Sequence, residues 1–324
     1  MLGSRWSTRP VTRRSSSSLL PQSSPGATSA ERYVRPMSSI EALAPGWLAA
    51  LAGTVGLFAG SFLNVVIHRL PRGESVVAPR SRCPACGRMI RAWENIPVLS
   101  FLALRGRCAG CGASISWRYP VVEILTAVLF GAIAWRYGAA AETPLYCALA
   151  AALVAAAAID FDHRIIPDEI SLGGLAVALV VVPLLAWRSG DPLADAFARS
   201  AAGALLGGGA LWLVGFVHAR VSVAMKRRFE HWPGADEAPP RPRSLDYWIW
   251  FPGVGFGDVK LLAMIGAVLG PLGVFETILV ASLAGLAFGL VWAAAVRRLD
   301  SPFGFAPAIA CGALLVVLMP FPLI

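Results

Sequence analysis

Charge is scarce in this 324-residue chain: Asp, Glu, Lys and Arg together make up 15% of it, while 56% is hydrophobic. Soluble domains carry about 25% charged residues, so an ordinary water-soluble protein is excluded, as the mean hydropathy of +0.64 also indicates. Other absences narrow the field. No internal repeat of the kind that builds many transporters is visible, and no glycine-rich turn of the dinucleotide-binding type opens a helix. Histidine is limited to four residues with no partner pattern, so His163 is assigned no role. Between Met37 and His68 there is no Lys or Arg at all.

What the chain has instead is long apolar runs. About 20 apolar residues cross the hydrocarbon core, and eight candidate spans are placed at 46–67, 120–135, 143–159, 169–187, 198–218, 259–271, 273–296 and 303–322, the second and sixth being short. Backbone groups facing lipid must be paired within their own segment, so all should be helices. The expected fold is an all-α polytopic bundle of about eight transmembrane helices. The run at 46–67 is long enough to span and is not read as a cleavable signal sequence.

Cations set the orientation. Arg69 to Arg118 holds nine arginines against Glu74 and Glu94, and Arg220 to Lys260 holds seven basic residues, so both loops are expected in the cytoplasm. Alternate crossings then put the cation-poor loops with Arg136, Arg188 and Arg199 outside, and Arg297 and Arg298 inside. Residues 1–36, with six arginines, nine serines and a single acid, Glu31, read as a disordered tail. An upstream misplacement of the start is the preferred explanation for that tail, because a chain beginning at Met37 would present a cation-free N-terminus outside. A genuine tail and an organelle-targeting segment are the alternatives.

Two aspartates stand where apolar runs meet polar ones, and carboxylates at membrane depth are functional candidates by default. Asp160 lies in Ile159-Asp160-Phe161-Asp162-His163-Arg164-Ile165-Ile166-Pro167-Asp168, and Asp258 in Gly255-Phe256-Gly257-Asp258-Val259-Lys260. The topology puts both at the cytoplasmic face. If folding brings them together, like-charge repulsion leaves one protonated and the other ionised, the state needed to activate a water. Gly255 and Gly257, lacking side chains, let a substrate backbone or a partner helix come close to Asp258. Asp162, roughly 200° round a helix from Asp160, is expected to face water or a polar loop. Asp168 is expected at a helix N-terminus favoured by the dipole, and Lys260 is read as a cation at the membrane surface more than as a helper of the site.

Cysteine supplies a second constellation. Cys83-Pro84-Ala85-Cys86 and Cys108-Ala109-Gly110-Cys111 are two C-x-x-C pairs separated by 21 residues, close to a four-cysteine zinc ribbon, with Gly87 and Gly112 giving turn freedom after each. A cytoplasmic loop disfavours disulfides. Structural zinc on Cys83, Cys86, Cys108 and Cys111 is therefore preferred over a redox pair or unliganded thiols. Cys147 and Cys311, isolated within spans, read as small hydrophobes.

Taken in order, these blocks resemble the prepilin peptidases, or type IV leader peptidases, membrane aspartic proteases of the G-x-G-D class. The resemblance begins at Gly60-Ser61-Phe62-Leu63-Asn64-Val65-Val66-Ile67-His68-Arg69-Leu70-Pro71. It continues through Arg80-Ser81-Arg82-Cys83, Asn95-Ile96-Pro97-Val98, Gly106-Arg107-Cys108 and Ile115-Ser116-Trp117-Arg118-Tyr119-Pro120-Val121-Val122-Glu123, and on to the two aspartate motifs. It implies Asp160 and Asp258 as the catalytic pair, and as partners the precursors of type IV pilins or type II secretion pseudopilins in a bacterial cytoplasmic membrane. Nucleic acid is not expected. It also implies N-methylation of the new N-terminus with S-adenosylmethionine, associated with the cysteine loop; a peptidase without methylation is the alternative. A transporter or a zinc-binding scaffold would leave the aspartate motifs unexplained.

Three regions follow: 46–135 with the cysteine loop at 69–118, a peptidase region at 141–265, and C-terminal helices at 266–324. The stretch 220–252 departs from the family pattern. Its Pro-rich part reads as a linker, and Tyr247-Trp248-Ile249-Trp250-Phe251 as an interfacial anchor more than a gate.

Overall fold

The computed structural model describes residues 46–225, 242–249, 255–296 and 304–319. The 1–36 tail and much of the 220–252 insert lie outside these residues. Among them the architecture is all-helical. The helices are α1 (Gly46–Arg69), α2 (Leu99–Ala103), α3 (Arg118–Tyr137), α4 (Thr143–His163), α5 (Asp168–Arg188), α6 (Leu193–Ala224), α7 (Asp246–Ile249), α8 (Phe256–Val296) and α9 (Ala306–Leu318). Six of these are long and apolar enough to cross a membrane, and α9 is a shorter apolar helix of 13 residues. The protein is a multi-pass membrane protein.

The difference from eight expected spans lies in α8. Its 41 residues contain Gly270 at φ 73° and ψ −177°, followed by Pro271, so two helical arms, 256–269 and 271–296, abut there. A Cβ built on Gly207 of α6 would lie 2.4 Å from the Leu262 carbonyl oxygen and 2.7 Å from Val274 Cγ2. A straight helix would hold residues 262 and 274 about 18 Å apart. The chain therefore doubles back at Gly270, where glycine alone adopts the required backbone without a Cβ penalty, and the arms correspond to the expected spans at 259–271 and 273–296. The first arm is only about 21 Å long.

Helix α4 is the centre of the bundle, with Leu153, Ala156 and Ile159 fully buried among α1, α3, α5 and α9. Apolar burial cannot drive association in lipid, so close backbone approach does much of that work. Gly203 of α6 and Gly266 of α8 face one another so closely that a Cβ on either would fall 2.0 Å from the other's carbonyl oxygen. On the other side, Gly60 of α1 lies over α3, where a Cβ would sit 2.6 Å from the Glu123 Cα. Cys147 is buried, as a small hydrophobe would be, whereas Cys311 sits on an exposed face of α9.

The loop between α1 and α3 contains two copies of one turn. Cys83 N–H donates to Arg88 O (2.9 Å) and Gly87 N–H to Cys83 O (2.9 Å). Twenty-five residues on (108 − 83 = 25), Cys108 N–H donates to Ala113 O (2.8 Å) and Gly112 N–H to Cys108 O (2.9 Å). Isolated bridges Arg82 to Met89 and Arg107 to Ser114 close both copies, and Gly87 and Gly112 have φ of 70° and 73°. The loop is tied to the bundle by Val98 N–H donating to Glu123 Oε2 of α3 (2.8 Å), and its two ends are held together where Asn64 Nδ2 of α1 donates to Tyr119 O of α3 (3.1 Å).

Candidate active site

Asp160 lies in the last turn of α4 and is 5% exposed. The helix ends just beyond it, at Arg164, whose left-handed backbone (φ 55°) lets its N–H donate to Asp160 O at 2.8 Å. The chain then runs through Ile166 and Pro167 into α5. Asp258 sits in the first turn of α8, its N–H donating to Gly255 O at 3.0 Å. Its Oδ1 is buried with no hydrogen-bond partner among the described residues. A buried polar atom without a partner is uncommon and calls for a reason such as a catalytic role.

The two motifs interlock. Where Gly257 lacks a side chain, Ile166 packs, its Cβ 3.1 Å from the position a Gly257 Cβ would take. Lys260 forms an ion pair with Asp168 and lies 5.6 Å from the Phe256 ring centroid. These two contacts bring the Asp258 motif against the loop that follows Asp160. The glycines thus serve two ends: Gly257 admits the Ile166 loop, and Gly255 admits the Asp258 carboxylate, whose Oδ2 is 3.2 Å from the missing Cβ.

The neighbouring carboxylates are engaged elsewhere. Asp162 points away from Asp160 and pairs with Arg118 of α3, which also donates to Ala158 O at 2.9 Å. Asp168 starts α5, as a dipole-favoured residue should, but its partner is Lys260. Lys260 thus reaches from the Asp258 motif to the start of α5, its side chain 17% exposed and that of Asp168 61%. Sequence reasoning also missed a third wall. Ala306 N–H, at the start of α9, donates to Asp160 Oδ2 at 3.0 Å, and Gly304 packs against the same carboxylate. Beside it opens a cleft of about 330 Å³ lined by Phe161, Asp162, His163, Arg164, Phe288, Trp292 and Gly304.

In the cysteine loop, the Sγ atoms of Cys83, Cys86, Cys108 and Cys111 all lie within 4.8 Å of one another, with Cys83 and Cys111 at 3.9 Å. A tetrahedral zinc with Zn–S bonds of about 2.3 Å sets sulfurs about 3.8 Å apart, so these four residues can hold one metal ion. Backbone N–H groups of Cys111 and Gly110 pull the Cys108 thiol down to about 6. At Cys111 the Ala113 N–H also lowers the thiol, yet Cys86, burial, Cys108 and Cys83 together carry it up to about 11. Such crowding opposes a second thiolate, and a bound cation removes that opposition. Nearby, Arg88 binds both oxygens of Glu94 at 2.8 Å, and with the Arg91 N–H holds that carboxyl below its usual range.

Residues 54–137 match the family described as the bacterial peptidase A24 N-terminal domain, and residues 147–290 match the type IV leader peptidase family. The chain is 36% identical over 306 residues to a prepilin leader peptidase/N-methyltransferase of Pseudomonas putida, an alignment covering 86% of this chain and 92% of that one. A protein of the same description from Neisseria gonorrhoeae is 35% identical, covering 84% and 91%. A type 4 prepilin-like proteins leader peptide-processing enzyme of Escherichia coli is 32% identical, covering 84% and 94%. No solved structure matches the chain.

Proposed function

The chain belongs to the type IV leader peptidase family, and from that premise we propose that Asp160 and Asp258 are its catalytic pair, acting at the cytoplasmic face of a bacterial inner membrane. It is a prepilin peptidase that also carries the family's N-methyltransferase function. The observation that carries the assignment of the pair is the interlock of Gly257 with Ile166 and of Lys260 with Asp168, which draws the two aspartate motifs to one end of the bundle.

The chemistry follows from two carboxyl groups sharing one site. One takes a proton from a water as it attacks the scissile carbonyl, and the other gives a proton to the departing amine. No covalent intermediate is needed. A prepilin or pseudopilin precursor, with a short basic leader joined to an apolar helix, would place its leader junction at the membrane surface where Asp160 and Asp258 lie. The methyl donor is S-adenosylmethionine, which takes no part in the cleavage step. Cys83, Cys86, Cys108 and Cys111 hold zinc in this reading, in a closed four-sulfur site with no open position for water.

Purified protein in lipid, given a prepilin and S-adenosylmethionine, should release the leader and leave a mature N-terminus heavier by one methylene, read by mass spectrometry. Intact precursor would refute the peptidase, and cleavage without added mass would remove methylation alone. Orientation is checked separately. Reporter fusions after Arg91 and Arg241 should read cytoplasm and one after Asp191 the opposite side, since the basic loops are retained inside; a cytoplasmic signal after Asp191 would overturn the topology.

A further inference from the structure

We propose that the Gly304 to Ala306 entry into α9 is a positioning cradle for the Asp160 carboxylate, completing the peptidase site from a helix that neither aspartate motif contains. The inference rests on the reading of Asp160 as catalytic.

Two independent contacts carry it. The Ala306 N–H, buried at the first residue of α9, donates to Asp160 Oδ2 at 3.0 Å, across 146 residues of sequence. Donors at a helix start favour a negative charge, and a fixed donor also fixes which way the carboxylate plane turns. The second contact is steric. A Cβ on Gly304 would fall 2.1 Å from Asp160 Oδ2, 2.6 Å from its Cγ and 2.9 Å from its backbone oxygen. No real side chain tolerates that approach, and because both the carboxylate and the α4 backbone are met, a simple rotation of Asp160 does not relieve it. The turn is itself braced, since the Phe305 ring fills the space over Gly285 of α8, where a Cβ would lie 2.4 Å from Phe305 Cε2. Helix α9 thus bridges α4, which bears Asp160, and α8, which bears Asp258. It holds one oxygen of Asp160, while Oδ1 of Asp258 has no partner among the described residues. The pair is consequently asymmetric: one carboxylate is anchored by a backbone donor, and the other keeps a buried oxygen with no partner among the described residues.

The test is Gly304→Ala in the full-length protein in lipid, with Gly209→Ala as control, since a Cβ at Gly209 meets nothing within 4 Å. Displacing a reacting group by about 1 Å costs about 10²-fold. Gly304→Ala should therefore lower kcat for prepilin cleavage about 100-fold with KM within about twofold of the parent, because the carboxylate is turned while substrate binding is kept. Gly209→Ala should match the parent. Methylation of a pre-cleaved pilin should be unchanged in Gly304→Ala. Cleavage by Gly304→Ala at the parental rate, while Asp160→Asn is inactive, would overturn the cradle and leave the catalytic pair standing. Equal loss of cleavage and methylation would also overturn it, as general misfolding. Parental cleavage by Asp160→Asn would bring down the catalytic pair, and the cradle with it.

Discussion

Asp160→Asn and Asp258→Asn should each reduce leader cleavage by about 10³-fold or more while the protein still accumulates in the membrane. The amide keeps the shape of the carboxyl but cannot exchange the proton that water activation requires, and losing a positioned acid or base costs ~10²–10⁴-fold. In Asp160→Asn the side-chain oxygen can still accept the Ala306 N–H, so the loss reports chemistry and not a broken contact. Asp162→Asn and Asp168→Asn test the specificity of this claim. Each gives up an ion pair, with Arg118 and Lys260 respectively, and should retain cleavage within about tenfold of the parent, since partly exposed pairs contribute only ~1 kcal/mol. The measurement is the initial rate of leader release per unit of membrane-inserted protein. Parental rates in both Asp160→Asn and Asp258→Asn would end the assignment, and an inactive Asp162→Asn beside an active Asp160→Asn would move it to the wrong neighbour's place in the motif.

How much of this was legible in the sequence depends on the range over which each feature acts. Helices α1, α3, α4, α5 and α6 could be placed because span length and lipid exposure are local properties of a run of apolar residues. The cysteine turns were legible for the same reason, since a C-x-x-C-G segment forms its own hydrogen bonds and needs only its own glycine at positive φ. The reversal at Gly270 was half visible. A Gly-Pro step breaks an apolar run, but only the contact of Gly207 with both Leu262 and Val274 shows that the chain folds back. What escaped was the set of contacts made across the bundle. Lys260 gave no sign of its ion pair, because its partner Asp168 is 92 residues away. Ala306 and Gly304 gave no chemical signal at all, because a backbone N–H and an absent side chain matter only where packing brings them to Asp160. Nor could the sequence tell that Cys147 is buried and Cys311 exposed, because a helix registers its buried face only against neighbours.

Replacing Cys83 and Cys86 together by serine should remove the metal, disorder residues 80–118 and abolish methylation, while leader cleavage persists at about a tenth of the parental rate. The loop between Arg69 and Arg118 has no strand of its own and little apolar core among its described residues; Cys83 and Phe101 are its buried hydrophobics. With zinc bound as proposed, a segment of that size would gain its stability from the metal, whose binding free energy, about 10–16 kcal/mol in zinc-finger peptides, becomes folding free energy. Serine removes two thiolates from a site that offers four and leaves Cys108 and Cys111 unable to close a tetrahedron. The proposed peptidase site is carried by other elements, α4, α8 and α9, which do not depend on that tetrahedron. One link between the two remains: Arg118, at the end of the loop, donates to Ala158 O and pairs with Asp162 on the helix that bears Asp160. Disorder reaching Arg118 loosens that end of α4, which is why cleavage is expected to fall without vanishing. Metal content by elemental analysis, cleavage rate and the mass of the pilin N-terminus read the three consequences independently. Purified parent protein without bound metal and with four freely titrating thiols would remove the site, and complete loss of cleavage in a stably inserted double variant would show that the loop and the aspartate pair act as one unit.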